Sequence, residues 1–468
     1  MRTTGKKVLL TLGISLTAVI GIYCGISVFF FSHFFPDTVL NGVNASFKTA
    51  KGIEESIQDE IGHYTLELVE RGDKKEVIHS NEITLVPLFG TEIQEKINQQ
   101  NGFAWFFHLF HKDVYELETV LSYNKSQLKT AIKQLKCMDA SRVIEPENAS
   151  ISDYKNGYEI IPEVLGTKVK EAVLVQVLDD AIMNLKDRVS LEKENCYVAP
   201  KYTSETKRIQ NAVKKMNEYT GAEITYDFGN NQEVADGAVI SGFLDVDSKF
   251  KVHLNRERML TYVQSLSSKY NTIFRDKTFR TSYDKTITIT NGDYGWWMNQ
   301  GAELEALEAN IKKGEKVTRE AEYLQTAASH DGNDYGTTYV EINITAQHLF
   351  FYKKGRLILE SDFVSGNPSL NNGTPSGAYS ITYKEQEATL RGENYETPVQ
   401  YWMPFNGNIG MHDASWRTEF GGDLYQSAGS HGCINLPPPI AKKLFSVISK
   451  GDPVIVYQQK GTESKPKK

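Results

Sequence analysis

This chain lacks an excess of basic charge and the usual zinc-binding spacings, and it has little cysteine. Its formal net charge of −7 over 468 residues lacks the basic excess of nucleic-acid-binding proteins, so we expect no nucleic-acid partner. The CxxC and HxxxH spacings that hold zinc do not occur around its C-terminal cysteine, so we predict neither a metal nor another cofactor. A chain of this length should form about three domains.

Charge of either sign is missing from Val8 to Phe35. About 20 apolar residues suffice to cross a bilayer, and the run lacks the small-x-small cleavage site of a signal peptide. A basic flank ends at Lys7, and the next lysine is Lys48, so the positive-inside rule places the N-terminus in the cytoplasm. We predict an uncleaved single-pass anchor in the cell membrane over residues 1–36, spanning about 8–32, with the remaining chain outside.

Only four cysteines are present, and one of them, Cys24, lies in the predicted span. The other three, Cys137, Cys196 and Cys433, are an odd number, so at least one thiol is free or pairs with another molecule. Cys137 and Cys196 are compatible with a disulfide and equally with two buried thiols. Cys433 is the candidate for the free thiol.

A weak internal repeat indicates a duplicated α+β module. Residues 121–135 align with 252–266, including Asn124 with Asn255, and residues 156–172 resemble 291–307. The offsets correspond to a period of about 130–135 residues. We predict two copies of the module, spanning 38–188 and 189–328.

The last part of the chain is rich in strand patterns. The turn formers at 329–336 indicate a domain junction. The sequence then alternates at 338–344, and 349–366 has the pattern of two strands around a Lys-Lys-Gly turn. We predict a mostly β domain over 337–458, followed by a disordered tail at 459–468.

Cys433 has neighbours that suit a nucleophile. A thiol has a pKa of roughly 8.5 and needs a base to become a thiolate, together with N–H donors for the oxyanion that forms on the attacked carbonyl. His412 lies 21 residues before Cys433, and His431 and Gly432 precede it directly. Asp413 follows His412 and could orient its ring through a side-chain or backbone oxygen. Local chemistry alone also fits a structural cysteine in a glycine-flanked loop.

The order of these residues resembles the signature of the L,D-transpeptidases that have a YkuD-type catalytic domain. His412 precedes the run Ser430-His431-Gly432-Cys433-Ile434-Asn435. Segments 364–381, 399–405 and 449–457 are similar to further family segments, with family marks at Gly366, Thr374, Pro375 and Gly377. The resemblance covers about 337–458.

The resemblance implies a fold class and a reaction. The expected fold is multidomain, with a transmembrane helix, the duplicated α+β module and a C-terminal β-sandwich-like catalytic domain. The expected partners are peptidoglycan stem peptides, a donor tetrapeptide and an acceptor amine. Cys433 would form a thioester with release of the terminal D-Ala, and the amine would resolve it to a 3→3 cross-link. Carbapenems, which acylate the family, would acylate Cys433.

The resemblance also implies roles for individual residues. His412 would activate Cys433, and the N–H groups of His431, Gly432 and Cys433 would form the oxyanion hole. Asp413 departs from members with Ser or Gly at this position. The remaining implied residues hold the loop or line the donor cleft, with a core position as the alternative for Trp402: Ser430, Asn435, Tyr401, Trp402 and Met403.

Two other functions remain open at this stage. An L,D-carboxypeptidase would use the same residues with water as the acceptor, and a wall-binding scaffold would have an inert Cys433. The duplicated module resembles a peptidoglycan-binding domain that precedes some catalytic domains of the family. Its aromatic runs, Trp296–Trp297 and residues 103–110, are candidates for stacking on sugar rings or for buried core positions.

Overall fold

The computed structural model describes residues 2–117, 120–330, 334–392 and 395–463. The chain divides into two compact units. The first unit contains the residues up to Ser150 together with Ile161–Glu205. The second unit contains Ile151–Ile160 together with the chain from Thr206 onward.

The chain begins with helix α1, Arg2–Phe29. Its segment Lys6–Phe29 has a mean hydropathy of 2.1 and is, within the described residues, the one helix long and apolar enough to cross a membrane. The helix overlaps the predicted span of about 8–32 and ends at Phe29. The Phe31 N–H bonds to the carbonyl of Val28, which closes the helix with a tighter turn.

The rest of the first unit forms an α+β module. Its helices are α2 (Ala50–Gly62), α3 (Ser80–Ile83), α4 (Glu92–Asn98), α5 (Trp105–His108), α6 (Lys125–Gln134) and α7 (Glu171–Met183). Its strands are β1 (Thr38–Leu40), β2 (Val43–Asn44), β3 (Thr65–Val69), β4 (Lys75–His79), β5 (Val86–Leu88), β6 (Asp113–Tyr115), β7 (Val120–Ser122) and β10 (Arg188–Ser190). The short strands β8 (Ser150–Ile151) and β9 (Ile160–Ile161) lie where the chain passes from one unit to the other. Isoleucines at helical spacing on α2 and leucines on β3 meet in its core.

The second unit opens with a module of similar composition. Its helices are α8 (Lys207–Thr220), α9 (Gly237–Ser241), α10 (Arg256–Tyr270) and α11 (Gln300–Lys313). Its strands are β11 (Glu223–Asp227), β12 (Gln232–Ala235), β13 (Leu244–Val246), β14 (Val252–Leu254), β15 (Lys277–Arg280), β16 (Thr286–Ile289), β17 (Trp297–Met298), β18 (Lys316–Arg319) and β19 (Tyr323–Gln325).

The two modules have the same sheet topology, which confirms the predicted duplication. In the first, β3 pairs antiparallel with β4 and parallel with β10. In the second, β11 pairs antiparallel with β12 and parallel with β18. A two-stranded antiparallel pair accompanies each sheet, β5 with β7 and β13 with β14.

One of the two predicted alignments is in register and the other is not. Asn124 and Asn255 are both N-caps whose side chains accept backbone N–H groups, at the starts of α6 and α10. The second alignment pairs Glu171, the first residue of α7, with Ala306 inside α11. Since α11 begins at Gln300, the two helix starts are offset less than the alignment requires.

The predicted boundary at 188/189 is also displaced. β10 (Arg188–Ser190) completes the sheet of the first module, and Cys196 is buried in that module's core. The chain therefore stays in the first unit to Glu205, apart from Ile151–Ile160, which belong to the second unit.

The catalytic domain predicted at 337–458 is mostly β. Its strands are β20 (Tyr339–Asn343), β21 (His348–Lys353), β22 (Arg356–Asp362), β23 (Gly377–Ser380), β24 (Glu385–Gly392), β25 (Tyr395–Asn406), β26 (Ile409–Asp413), β27 (Ile434–Leu436) and β28 (Pro453–Tyr457). Its helices are α12 (Leu424–Ala428) and α13 (Pro438–Val447). The sheets β22-β21-β20-β28-β23 and β24-β25-β26-β27 share one apolar core, as expected of a sandwich-like domain.

The second module packs directly on this domain within the second unit. The turn between β15 and β16 donates from Ser282 N and Oγ to the buried carboxylate of Glu341 on β20, at 2.8 and 2.6 Å. Gly292 lies against Ala378 of β23 so closely that any Cβ would collide with the Ala378 backbone. The second module and the catalytic domain therefore form one unit.

The junction and the tail are described only in part. Residues 331–333 of the predicted junction and residues 464–468 of the predicted tail lie outside the described residues. Gln459 is buried, and its side chain accepts a hydrogen bond from Thr281 at 3.0 Å. The ordered chain thus continues past the predicted start of the tail, because this contact holds it on the second module.

Candidate active site

Parallel pairing of β26 and β27 brings the two predicted catalytic residues to one place. His412 on β26 is the register partner of Asn435 on β27, and Cys433 immediately precedes β27. The sheet thus brings His412 and Cys433 close in space although they are 21 residues apart in the sequence. Both side chains line one cavity, of about 240 Å³.

Ser430 fixes the loop before Cys433. Its hydroxyl donates to the Cys433 carbonyl at 2.6 Å and accepts from the Gly432 N–H at 3.1 Å. Gly432 has φ +120°, a conformation that side chains rarely adopt. The Gly432 N–H, predicted as an oxyanion donor, is therefore already bonded within the loop.

Thr374 ties this loop to a second one. Its hydroxyl donates to the Gly432 carbonyl at 2.7 Å and accepts from the Gly366 N–H at 3.1 Å. A Cβ on Gly366 would lie 1.8 Å from the Asn372 carbonyl oxygen and 2.7 Å from the Gly432 Cα. Gly366 and Gly432 therefore have to be glycines, because the two loops are in contact through their backbone atoms.

The cavity contains both predicted and unpredicted residues. Its lining comprises Leu390, Thr397, His412, Trp416, Arg417, Gly429, Ser430, His431, Cys433 and Asn435. Sequence reasoning missed Trp416 and Arg417, although they follow His412 in the same segment, "HDASWR". Leu390 and Thr397 come from β24 and β25, and no motif marks them.

The Cys433 thiol is buried and protonated at rest. Burial raises its pKa to about 11, although the Gly410 N–H opposes the shift by stabilising the thiolate. The thiol donates to the carbonyl oxygen of Asn408, with Sγ and O 3.6 Å apart. Among the described residues, no direct hydrogen bond joins Cys433 to His412.

The protonation state of His412 follows from its partners. Arg417 Nε can only donate, and it lies 2.9 Å from Asn435 Oδ1, so the Asn435 Nδ2 group faces His412 Nε2 at 3.0 Å. His412 Nε2 must therefore be the acceptor, and Nδ1–H donates to the Asp413 carbonyl at 2.8 Å. Burial lowers the pKa of His412, which keeps the imidazole neutral.

Asp413 orients the ring through its backbone and not through its carboxylate. Its side-chain Oδ1 accepts the N–H groups of Gln400 and Tyr401, both at 2.8 Å. The carboxylate thus holds β25 against β26, while the carbonyl selects the tautomer of His412. The sequence left open whether a side-chain or a backbone oxygen of Asp413 orients the His412 ring, and the structure shows the backbone oxygen in contact with it.

The predicted cleft residues Tyr401, Trp402 and Met403 do not line the cavity. Met403 is fully buried in the domain core, and the Tyr401 ring packs on Phe445 of α13 at 5.3 Å. Trp402 is buried beside Cys433 and lies 5.9 Å from the His412 ring, between ring centroids. Alternation along β25 places Tyr401 and Met403 on the face away from the site and Trp402 on the face toward it. The burial of Trp402 there agrees with the core alternative.

The other predicted features lie away from this cavity. Cys137 and Cys196 are two buried free thiols and not a disulfide. Trp296 is buried and stacks on His330 at 3.6 Å, whereas Trp297 is partly exposed. The run 103–110 is largely exposed, so a core position is wrong for most of its rings.

Two family models match this chain. Residues 337–456 match the model described as "L,D-transpeptidase catalytic domain" (YkuD), and residues 202–319 match "Putative peptidoglycan binding domain". The catalytic match coincides with the domain that contains the cavity, and the second coincides with the second module. No curated protein matches the chain.

Solved structures from Enterococcus faecium are similar to the second half of the chain. A crystal structure of its L,D-transpeptidase, in a cysteine-to-serine mutant, is 35% identical over 53% of this chain and 100% of that chain, with a TM-score of 0.45. An NMR structure of the catalytic domain of that enzyme, acylated by ertapenem, is 46% identical over 26% of this chain and 98% of that chain, with a TM-score of 0.25.

The family models define the class as peptidoglycan-directed acyltransferases with a YkuD domain. The identity over the whole length of the E. faecium crystal chain places the chain within that class. The chain belongs to the L,D-transpeptidase family.

Proposed function

We propose that this protein forms 3→3 cross-links in peptidoglycan through a thioester on Cys433. The observation that carries the proposal is the cavity shared by the Cys433 thiol and the His412 imidazole, in the domain that matches the family. The donor is a tetrapeptide stem, and the acceptor is the side-chain amine of a second stem. The reaction is an acyl transfer between two amides, so it requires proton transfer and oxyanion stabilisation.

His412 Nε2 serves as the base because it is the unprotonated ring nitrogen, and it becomes available to the thiol when Asn435 Nδ2 releases the hydrogen bond that it donates to Nε2 in the resting site. It takes the Cys433 proton as sulfur bonds to the carbonyl carbon of the third donor residue. His412 then returns this proton to the departing amine of D-Ala, and the C–N bond breaks to leave the thioester. The acceptor amine attacks next, its proton passes to His412, and the C–S bond breaks as the thiol is reprotonated.

Backbone N–H groups beside Cys433 stabilise the oxyanion. Gly432 leaves the approach to sulfur open, and its positive φ sets the direction of the peptide units on either side. We assign the oxyanion to the N–H groups of His431, Gly432 and Cys433. In the resting loop the Gly432 N–H bonds Ser430 Oγ, so it takes part only once Ser430 turns. His431 is exposed beside the cavity and positions the donor stem.

Two further parts of the chain, α1 and the modules, support a site of action at the cell wall. α1 anchors the protein in the cell membrane with the basic N-terminus in the cytoplasm. The catalytic domain then faces the cell wall from outside. The two modules bind peptidoglycan and bring its stems within reach of the anchored domain.

Mass spectrometry of the full chain in detergent with a tetrapeptide stem tests the function. The expected product is a stem dimer that has lost one alanine, with Cys433→Ala as the inactive control. Tripeptide without dimer would instead identify an L,D-carboxypeptidase. Failure of the wild type to form product or a carbapenem adduct would favour a wall-binding scaffold.

A further inference from the structure

The first module contains an aromatic insert that the second module lacks. β5 ends at Leu88 and β7 begins at Val120, whereas the equivalent strands β13 and β14 are joined by residues 247–251 alone. Residues 102–112, "GFAWFFHLFHK", lie within the longer connection, and we call them the aromatic insert. The shared module fold does not need this segment, because the second copy folds without it.

The insert exposes an apolar surface of unusual size for a loop. Phe107 and Phe110 are 75% and 83% exposed, and Phe103, Phe106 and Leu109 are also exposed. Phe31 and Phe47, outside the insert, are also exposed aromatic side chains. Contiguous exposed aromatics mark a surface that another apolar phase covers.

The insert is fastened to the end of α1. The Trp105 ring lies 5.4 Å from Tyr23 and 6.1 Å from Phe30, between centroids. The Tyr23 hydroxyl donates to the Phe103 carbonyl. Gly102 approaches α1 so closely that a Cβ there would lie 2.5 Å from the Ser27 carbonyl oxygen.

These contacts determine how deep in the membrane the insert lies relative to the predicted span of α1. A hydrocarbon core that begins after Lys7 reaches about Ser27, since about 20 helical residues at 1.5 Å each cover it. Tyr23 and Ser27 occupy the last turns of that span. The insert therefore lies beside the outer end of the anchor, at the depth where a bilayer changes from acyl chains to headgroups.

The composition of the insert suits that depth. Tryptophan accumulates at membrane interfaces, and segments that lie in the interface bury tryptophan, phenylalanine and leucine on their apolar face. The insert has no acidic residue, and its C-terminal end provides His111 and Lys112, both exposed. A cation beside exposed rings matches a layer of phosphate headgroups above acyl chains.

We propose that the aromatic insert enters the outer leaflet of the phospholipid bilayer beside α1 and forms a second membrane contact. The proposal rests on the proposed anchoring by α1. A single helix leaves a body free to tilt and rotate, and a second contact fixes the orientation of the first module relative to the membrane plane. The continuity of the insert with the apolar surface of α1 identifies the bilayer, and not a sugar, as its occupant.

Fluorescence of full-length protein in proteoliposomes tests the insert. A background of Cys24→Ala and Cys433→Ala leaves only the buried thiols Cys137 and Cys196. An environment-sensitive thiol probe is then placed singly by Phe107→Cys, Phe274→Cys or Ile14→Cys. Phe274 is 69% exposed in the second module and is the matched control, and Ile14 reports on the anchor.

The proposal predicts strong quenching at position 107 by lipids brominated near the headgroup end of their chains, and weak quenching by aqueous iodide. Position 274 should show the reverse, and position 14 should be quenched by lipids brominated deeper. Equal iodide quenching at 107 and 274 would overturn the proposal. Protection from iodide without bromolipid quenching would also overturn it, because a second copy or glycan would then cover the insert.

The probe at position 14 separates the two proposals. Bromolipid quenching at 14 without quenching at 107 would reject the insert and keep the anchor. Loss of quenching at 14 would reject the anchor itself. Exposed positions tolerate the probe, and matching thermal unfolding of all labelled variants confirms that each one folds.

Discussion

Cys433 in the catalytic domain and Cys137 in the first module are both buried thiols with raised pKa values. Burial raises the pKa of Cys433 to about 11 and that of Cys137 to about 12. The carboxylates of Glu76 and Glu70 contribute to the raised pKa of Cys137 after burial, whereas a backbone N–H opposes the shift at Cys433. Burial and pKa therefore fail to distinguish a nucleophile from a core residue.

The surroundings of the two thiols make the distinction. Cys433 lines a cavity that also holds a neutral imidazole and a guanidinium. At Cys137, by contrast, the backbone N–H groups of Lys136 and of Cys137 itself donate to the Glu76 carboxylate, at 2.7 and 3.0 Å. A thiolate is destabilised beside those carboxylates, whereas at Cys433 the proposed base, His412, lines the same cavity.

Exchange of each thiol for alanine should separate them completely. Cys433→Ala removes the nucleophile, so no carbapenem adduct should form, as measured by intact-protein mass spectrometry. Cys137→Ala should keep full acylation and lose about 1 kcal/mol of stability, as expected for a small core change. An adduct that survives on the Cys433→Ala protein would break the comparison.

Loss of the imidazole is expected to have the next largest effect. His412→Asn keeps a polar side chain but removes the base, so the single-turnover acylation rate should fall about 10²- to 10⁴-fold. The thiol itself is retained, and the loss of the two buried hydrogen bonds of His412 should lower the unfolding free energy by about 1–3 kcal/mol, so the rate is compared below the unfolding temperature of the variant. His348→Gln, on the other sheet, is the matched control and should retain the wild-type rate. An unchanged rate in His412→Asn would exclude His412 as the base.

Removal of the Arg417 charge should have a smaller effect with a distinct pH signature. Arg417→Gln weakens the hold on Asn435, and the acylation rate should fall about tenfold, as for one charge-assisted hydrogen bond. The positive charge contributes to the lowered pKa of His412, so its removal should move the acid limb of the pH–rate profile to higher pH.

The wild-type pH–rate profile provides the reference for that shift. The acylation rate should fall at acid pH, where His412 gains a proton at a pKa below its ordinary 6.5. The rate should then stay level through neutral pH and rise again toward 11, as Cys433 ionises. Arg417→Lys keeps the charge and should keep the acid limb, and a limb that stays in place in Arg417→Gln would refute the electrostatic role.

The smallest effect is expected from the loop tie. Thr374→Val keeps the shape of the side chain and leaves the Gly432 carbonyl and the Gly366 N–H without this partner. Unfolding free energy should fall by about 1–3 kcal/mol, the usual cost of unsatisfied buried groups, and acylation should slow a few-fold. Thr374→Ser retains the hydroxyl and should restore both values. Equal values for the valine and serine variants would show that Thr374 acts by packing alone.

The sequence predicted those features that local chemistry determines. Asn124 and Asn255 revealed the repeat because both are N-caps, and the hairpin turn at Lys354–Gly355 has the positive φ values that its glycine indicated. The run from Ser430 to Asn435 identified Cys433 because its residues are adjacent in the sequence, and the resemblance to the family signature added His412 from 21 residues away.

Contacts that depend on strand register could not be predicted from the sequence. The Arg417–Asn435–His412 chain exists because β26 and β27 pair with His412 opposite Asn435. Alternation along β25 sends Tyr401 and Met403 into the core, although adjacent residues in a motif look equivalent on paper. The assignment of Ile151–Ile160 to the second unit likewise depends on contacts with residues far away in the sequence.

That returning segment has a consequence for the order in which the protein folds. Tyr154 and Tyr158 pack with Met216 and Leu244, so the second unit needs residues that are synthesised before the last helix of the first. Folding from the N-terminus is therefore not a simple sequence of finished domains. A fragment that begins at Thr206 would leave these partners bare, and a recombinant second unit should carry Ile151–Ile160 with it.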